Sequence, residues 1–314
     1  MPETTRMTRR TGLRTALATA ITVPLLGTVT APAATSAPTV EPTPAAEPAA
    51  AGPAGRRLGV MTFNLRFAST TEPNSWAVRR PVMRALLRHE APDVLGTQEG
   101  LYQQLRDIHT DLGPTYDWIG TGREGGSHDE AVAVFYNTRR LAPVEHDTFW
   151  LSDTPKVIGS NTWGAALPRI ATWIRFRDLR DDGREFHLLN THLDHRVQYA
   201  RERAAALIGR RIAELGPSQP FLVTGDFNSA AHDNPVYDTL LDAGLVDTWD
   251  TAAGRSKLYA TFHGYQPLVA DGDRIDWILA TPGVTTHRAT VNTYAQDGQF
   301  PSDHLPVQAS VTLG

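Results

Sequence analysis

The sequence predicts an α/β (α+β) fold, a four-layer sandwich in which two mixed β-sheets pack face to face with helices on the outside. Three observations predict it. Apolar runs of strand length alternate with amphipathic helical stretches from Leu58 to Leu313. The turn Asp181-Asp182-Gly183 joins two of the runs as a hairpin. Helical stretches long enough to cross a sheet join others, and hairpins mixed with crossovers give mixed sheets that must bury both apolar faces.

Leu58 to Leu65 reads as the first strand, and Val82, Met83, Leu86 and Leu87 form a helical stripe before a second strand at Asp93 to Thr97. Leu101, Leu105, Ile108 and Leu112, spaced by four, three and four, mark the next helix. Strands follow at Glu130 to Tyr136, Ile170 to Phe176 and Phe186 to Thr191, the last two joined by the hairpin. A long helix at Val197 to Leu215 gathers Ala200, Ala204, Leu207, Ile208, Ile212 and Leu215 on one face. Strands at Phe221 to Thr224, Ile275 to Ala280, Thr285 to Val291 and Val307 to Leu313 complete the sheets, and no internal repeat is evident.

The segment before Leu58 has a different character. A basic start with Arg9-Arg10, a mildly apolar stretch from Ala16 to Val29 and the small-residue site Ala31-Pro32-Ala33 read as an export signal of the twin-arginine type over residues 1–33. The apolar stretch is too short and too rich in Thr and Gly to span a bilayer, which takes about 20 residues. Residues 34–57, mostly Ala, Pro, Thr, Ser and Glu, cannot form a core and read as a spacer. Residues 58–314 are then one domain, large enough to bury a substantial core. The expected location is extracellular, with the signal removed and no transmembrane span in the mature form. A monomer is the expected state.

Six Arg and three Glu precede Leu58, so the remainder holds 24 basic and 31 acidic residues, a net charge of −7. Proteins that grip long duplexes usually show a basic footprint, so this balance argues against tight, processive binding of DNA. The chain has no cysteine. That excludes disulfides, zinc-thiolate sites, thiol nucleophiles and a lipoprotein anchor together.

Five short polar blocks, each beside an apolar run, carry the chemistry: TFNLR at Thr62 to Arg66, TQE ending at Glu99, NTHLDH at Asn190 to His195, GDFN at Gly225 to Asn228 and SDH at Ser302 to His304. RIDWIL at Arg274 to Leu279 lies between the last two. Hard cations such as Mg²⁺ take oxygen ligands, typically one or two carboxylates with amide oxygens. Asn64 and Glu99 end strands where they can meet at a sheet edge; a turn-forming Asn and a helix-start acid are the plainer readings. Asp226 and Asn228, two apart in an extended chain, would share a face, the alternative being an Asx-turn. Of the 11 histidines, His187 reads as a packing residue, His195 and His263 stay undecided, and His192 and His304 stand where strands meet loops. Asp276 is a candidate partner to fix the tautomer of His304.

Taken in order, these blocks resemble the endonuclease/exonuclease/phosphatase superfamily, which has the deoxyribonuclease I-like fold, over nearly the whole stretch from Leu58 to Leu313. The resemblance implies that Asn64 and Glu99 hold Mg²⁺, with Mn²⁺ or Ca²⁺ as substitutes, and that Asp226, Asn228 and Asp303 lie near the metal or the attacking water. It implies that His192 and Asn228 bond the scissile phosphate, that Asp276 orients His304 as general base or transition-state stabiliser, and that Arg169 reaches a phosphate oxygen. The blocks NSW, DWIG and FWLS look like a bacterial, often secreted, subgroup. A Tyr stands in the abasic-site repair enzymes where this chain has His192, and the apolar hairpin of bacterial sphingomyelinases is not seen. The expected function is a secreted phosphoesterase acting on phosphodiesters or phosphomonoesters by metal-assisted water attack. An extracellular nuclease with nucleic acid as substrate is the main alternative, with a phospholipase C or sphingomyelinase-like enzyme and a non-catalytic phosphate-binding protein behind it.

Overall fold

A computed structural model describes residues 57–216 and 218–314. The export signal at 1–33 and residues 34–56 of the spacer lie outside the described residues. In chain order the elements are β1 (Leu58–Asn64), α1 (Trp76–Glu90), β2 (Val94–Gly100), α2 (Tyr102–Leu112), β3 (Tyr116–Gly122), β4 (Ala131–Asn137), β5 (Leu141–Trp150), β6 (Ile170–Asp178), β7 (Arg184–His192), α3 (Gln198–Leu215), β8 (Phe221–Asp226), α4 (Pro235–Asp242), β9 (Val246–Asp247), α5 (Thr248–Thr251), β10 (Gly254–Arg255), β11 (Asp276–Ala280), β12 (Thr285–Val291) and β13 (Val307–Thr312). One sheet has seven strands in the order β10-β12-β13-β1-β2-β4-β3, and the other six in the order β5-β6-β7-β8-β11-β9.

Both sheets are mixed, since β1 runs parallel to β2 and β7 parallel to β8 while their other neighbours are antiparallel. Parallel neighbours need a crossover, and α1 and α3 supply it. Ser75 caps α1 by accepting from Val78 N, and the buried face of α1 presents Trp76, Val82, Met83, Leu86 and Leu87. These pack with α2 against the outside of the seven-stranded sheet, while α3 and α4 cover the six-stranded one. The central core lies between the sheets, with Leu58, Val60, Val94 and Val134 from one and Phe176, Phe186, Leu188 and Ile278 from the other.

Toward one end the apolar core gives way to a buried polar seam. Gln98 Nε2 on β2 donates to Asn190 Oδ1 on β7 (2.7 Å), Asn190 Nδ2 donates to the Thr97 and Ala133 carbonyls (2.9 and 3.0 Å), and Thr224 Oγ1 donates to Asn190 Oδ1 (3.1 Å). The sheets approach closely here because residue 96 is Gly: a Cβ at that position would lie 2.3 Å from Thr224 Oγ1. Buried polar groups paired across the sheets in this way fix a register rather than merely fill space, with only Gln98 Oε1 of the seam's side chains left unpartnered.

Two long strands escape the sequence pattern. β5 is an edge strand whose middle, from Pro143 to Asp147, is exposed and polar, with a register shift beside Pro143; such features blunt an edge and erase period-two alternation. β3, the other sheet's edge, is half-exposed and contains Gly120 and Gly122. The short elements α4, β9, α5 and β10 carry too few residues for a periodicity to register. Among the described residues no helix is long and apolar enough to cross a membrane.

Candidate active site

The strand registers put the site together. His192 at the end of β7 pairs with Asp226 at the end of parallel β8, and Asp226 pairs with Asp276 at the start of antiparallel β11. All three therefore stand in one row across the six-stranded sheet. In the other sheet Asn64 at the end of β1 pairs with Gln98, and a bulge between Thr97 and Gly100 throws Glu99 out of the ladder with a φ of 62°. A left-handed backbone at a non-Gly residue costs of order 1–3 kcal/mol. Here it turns the carboxylate over the sheet edge toward Asn64.

The two sheets meet through Asn64. Its Nδ2 donates to Glu99 Oε1 and to Asp226 Oδ2, each at 2.9 Å, while its Oδ1 accepts from Arg66 N at 2.9 Å. The amide thus spaces two carboxylates rather than offering them its oxygen. Ser302 Oγ donates to the Asn64 carbonyl (2.6 Å) and His304 N donates to Ser302 Oγ (3.3 Å), which ties the loop before β13 to the end of β1. Asp303 sits 3.6 Å from Arg66 Nη1. Arg79 of α1, fully buried, donates to the carbonyls of Leu65, Arg66, Phe67, Asn74 and Pro301, holding the β1–α1 loop and the Pro301 segment together.

His304 Nδ1 lies 3.0 Å from Asp276 Oδ2 and its Nε2 lies 3.8 Å from Asp226 Oδ2. Asp276 is itself fixed by its N–H donating to Thr261 Oγ1 at 3.2 Å. Burial alone would lower the basicity of His304, but the Asp276 and Asp226 charges and the bond to Asp276 outweigh it and hold the imidazole well above its usual range. Asp226 is pushed upward, by burial first and then by the negative charge of Asp276, against the pull of His304 and the Asn64 bond. His192 is held well below its ordinary value by burial, the Arg169 guanidinium and His304, so it is neutral at physiological pH. Two histidines beside one carboxylate therefore hold opposite protonation states, and such divergence marks acid-base sites.

The residues expected from sequence converge here, with some changes of posture. β8 ends at Asp226, and Asn228 adopts a left-handed φ of 48° with its N–H on Asp226 Oδ1 (2.9 Å) and its Nδ2 on the Leu193 carbonyl (3.1 Å). Asp226 and Asn228 do not share a face, because the chain has already turned, and the Asx-type bond favoured by an Asp-x-Asn spacing explains the turn. Arg169, buried in the loop before β6, turns Nη1 to His192 Nδ1 (2.8 Å) and Nη2 to His195 Nδ1 (3.0 Å). His187 is a packing residue stacked between Trp173 and Phe221, and His263 bonds the Ser302 carbonyl at 3.1 Å.

Sequence reasoning missed Arg123 and Glu130. They are paired at 2.7 Å and line a small cleft with Glu99, Arg169 and His192. Burial, then the Glu99 charge, raises the Glu130 carboxyl above its ordinary value. In the sequence Arg123 lies between apolar runs with no motif around it, and Glu130 only opens the strand read at Glu130 to Tyr136.

The donor set suits a hard divalent cation. Asp226, Asp276 and Asp303, all buried, and half-buried Glu99 supply oxygens, and Asp276 Oδ1 is buried without a hydrogen-bond partner. Carboxylate oxygens of this kind match Mg²⁺-like ions. A second cluster, His232, Asp247 and Asp250, already has Arg274 Nη2 at 2.6 Å from Asp247 and the Tyr237 hydroxyl on both carboxylates.

The family model described as "Endonuclease/Exonuclease/phosphatase family" matches residues 61–304. Among solved structures, an endonuclease/exonuclease/phosphatase family protein from Bacteroides thetaiotaomicron is 36% identical, covering 81% of this chain and 97% of its own, with a TM-score of 0.76. A mannosyl-6-phosphatase from the same organism is 35% identical over 81% of this chain and 99% of its own, with a TM-score of 0.75. TDP2 from D. rerio, solved with a single-stranded DNA product, shares the fold at 17% identity, over 82% of this chain and 99% of its own, with a TM-score of 0.64. A comparison with curated protein sequences gives no match.

Proposed function

The chain belongs to the endonuclease/exonuclease/phosphatase family, and from that premise we propose that it is a divalent-metal-dependent phosphoesterase that hydrolyses its ester by direct water attack. The observation that carries this reading is the Asp226 carboxylate, shared at one edge by Asn64, His192 and His304 and crowded by Asp276. Glu99, Asp226 and Asp303 would hold the cation, Mg²⁺ by the hardness of these oxygens, with Asn64 spacing the first two. When bound, the metal neutralises phosphoryl oxygens and the leaving oxygen.

The protein's own groups do the rest. Asp226, raised in basicity by its surroundings, orients the attacking water and takes its proton. Asp276 holds His304 Nδ1–H so that Nε2 faces the reacting centre, where its charge stabilises the transition state. His192, neutral and bonded through Nδ1 to Arg169, keeps its proton on Nε2 as a donor to a phosphoryl oxygen. Asn228, whose Nδ2 donates to the Leu193 carbonyl next to His192 in the chain, would offer its second amide hydrogen to the same phosphoryl group.

The 35% identity to a mannosyl-6-phosphatase over nearly all of that chain favours a small phosphomonoester, sugar phosphates first, over nucleic acid. The net charge of −7 outside the leader points the same way, because a nuclease needs a basic groove. Export by the twin-arginine route, with removal of residues 1–33, belongs to this proposal and rests on the leader's sequence alone.

The test is product release with Mg²⁺ against EDTA from mannose 6-phosphate, p-nitrophenyl phosphate, bis-p-nitrophenyl phosphate and plasmid DNA, with His304→Ala as the blank. Metal-dependent release lost in the variant is expected, with the monoesters leading. Release unaffected by EDTA would sink the metal assignment, and DNA cleavage outrunning the esters would establish the nuclease reading.

A further inference from the structure

Arg169 holds more than one histidine. Its Nη1 and Nη2 meet His192 Nδ1 at 2.8 Å and His195 Nδ1 at 3.0 Å. A guanidinium carries N–H groups only and does not lose its proton in proteins. Both Nδ1 atoms are therefore acceptors, both rings are neutral, and each ring's single N–H is at Nε2.

The fork is itself braced. Asp194 Oδ2 lies 3.9 Å from Arg169 Nε and accepts from Ala166 N at 2.9 Å, while Oδ1 accepts from Arg196 N and Val197 N at 3.0 and 2.7 Å. One carboxylate thus balances the guanidinium and ties the Arg169 loop to the His195 loop. The two imidazoles then differ in outlook. His192 is buried with Nε2 3.5 Å from Asp226 Oδ2. His195 is exposed, its Nε2 has no hydrogen-bond partner among the described residues, and its ring feels the Glu99 charge.

We infer, resting on the phosphoesterase reading, that Arg169 is a positioning residue that locks His192 and His195 as a pair of neutral Nε2–H donors, and that His195 is a further substrate-binding residue for a terminal phosphoryl group. A phosphomonoester has three non-bridging oxygens and a diester two. With one oxygen toward the Glu99 side and one toward His192, a rim donor finds an acceptor on a monoester where a diester carries its second organic group. His195 thereby selects monoesters.

The first test does not need turnover. In the ¹⁵N-histidine-labelled full chain, long-range ¹H–¹⁵N correlation should show His192 and His195 protonated at Nε2, assigned with His192→Gln and His195→Gln. Arg169→Met should release at least one ring into mixed tautomers, and inorganic phosphate should shift the His195 Nε2 resonance. A wild-type proton on Nδ1 of either ring, or a His195 signal indifferent to phosphate, would overturn the inference even if the enzyme is active.

The second test is kinetic. His195→Ala should raise KM for p-nitrophenyl phosphate by about tenfold, the scale of a lost hydrogen bond to a charged acceptor, with kcat and the KM for bis-p-nitrophenyl phosphate little changed. His195→Gln, which keeps an N–H donor, should recover part of the loss. Equal losses on both esters would show a structural role and overturn the substrate contact. No hydrolysis of any ester by the wild type would instead count against the parent reading, with the nitrogen signals still deciding the lock.

Discussion

Asp276 shows how much one side chain decides. Its Oδ2 fixes His304, its charge helps raise Asp226, and its Oδ1 is left buried without a partner. Asp276→Asn keeps the shape and removes the charge. We expect kcat to fall roughly 10²-fold or more, the scale of a positioned acid-base group, with little change in KM and an unaltered circular dichroism spectrum. A variant turning over at the wild-type rate would remove Asp276 from the mechanism. This pairing was legible in the sequence only as a candidate, because 28 residues separate Asp276 from His304 and spacing says nothing about contact at that range. Asn64, Glu99, His192 and Asp226 were easier, since each closes an apolar strand and strand ends gather at sheet edges. Posture was not legible: the turned Asn228, the Asn64 amide facing two carboxylates and the doubly engaged Arg169 all depend on partners distant in the chain.

At the scale of elements, the seam between β2, β7 and β8 governs how closely the sheets approach. Gly96 leaves the space into which Thr224 and Asn190 reach. Gly96→Ala should destabilise the fold by about 1–3 kcal/mol, the usual cost of overpacking, read as a lower urea midpoint with an unchanged slope; a stability equal to wild type would show that the seam can relax. The same scale explains which elements the sequence reveals. β1, β6, β7 and β12 are set by apolar pattern and were found within a few residues. The edges β3 and β5 were not, because an edge strand protects itself with polar, proline and glycine residues that destroy the alternation by which strands are recognised.

Across the whole molecule, protonation links several buried histidines to stability. His187 and His263 are held below their ordinary value of 6.5, in each case by burial first. The unfolded chain then takes up protons that the native state refuses, so their contribution is complete above pH 6.5 and is lost as the pH falls below it. His304 has the opposite sign: its contribution is complete below 6.5 and is lost only as the pH rises through its elevated native value. His187→Gln, which still offers Trp173 Nε1 an acceptor, isolates one such term. The stability gap between wild type and this variant should narrow from pH 8 to pH 5 in urea unfolding, and a constant gap would refute it. The proposed metal site would give a companion effect. A ligand that binds only the native state stabilises it by mass action, about 2.7 kcal/mol at a hundred times its dissociation constant. Mg²⁺ should therefore raise the thermal midpoint, EDTA should reverse the rise, and Asp226→Asn should blunt it.

The Asn64 bridge has a mechanical meaning as well. Glu99 and Asn64 ride on one sheet, while Asp226, Asp276 and His192 ride on the other, so the reaction centre spans a sliding plane. A slip of a fraction of an ångström between the layers would open the proposed cation cradle before any residue in it changed. The seam of Gln98, Asn190 and Thr224, set just beneath, acts as a dowel against that shear. On the proposed metal-dependent reading, cation affinity would be a gauge of how true the two halves sit, and damage far down the sandwich would first be felt as a looser grip on the ion.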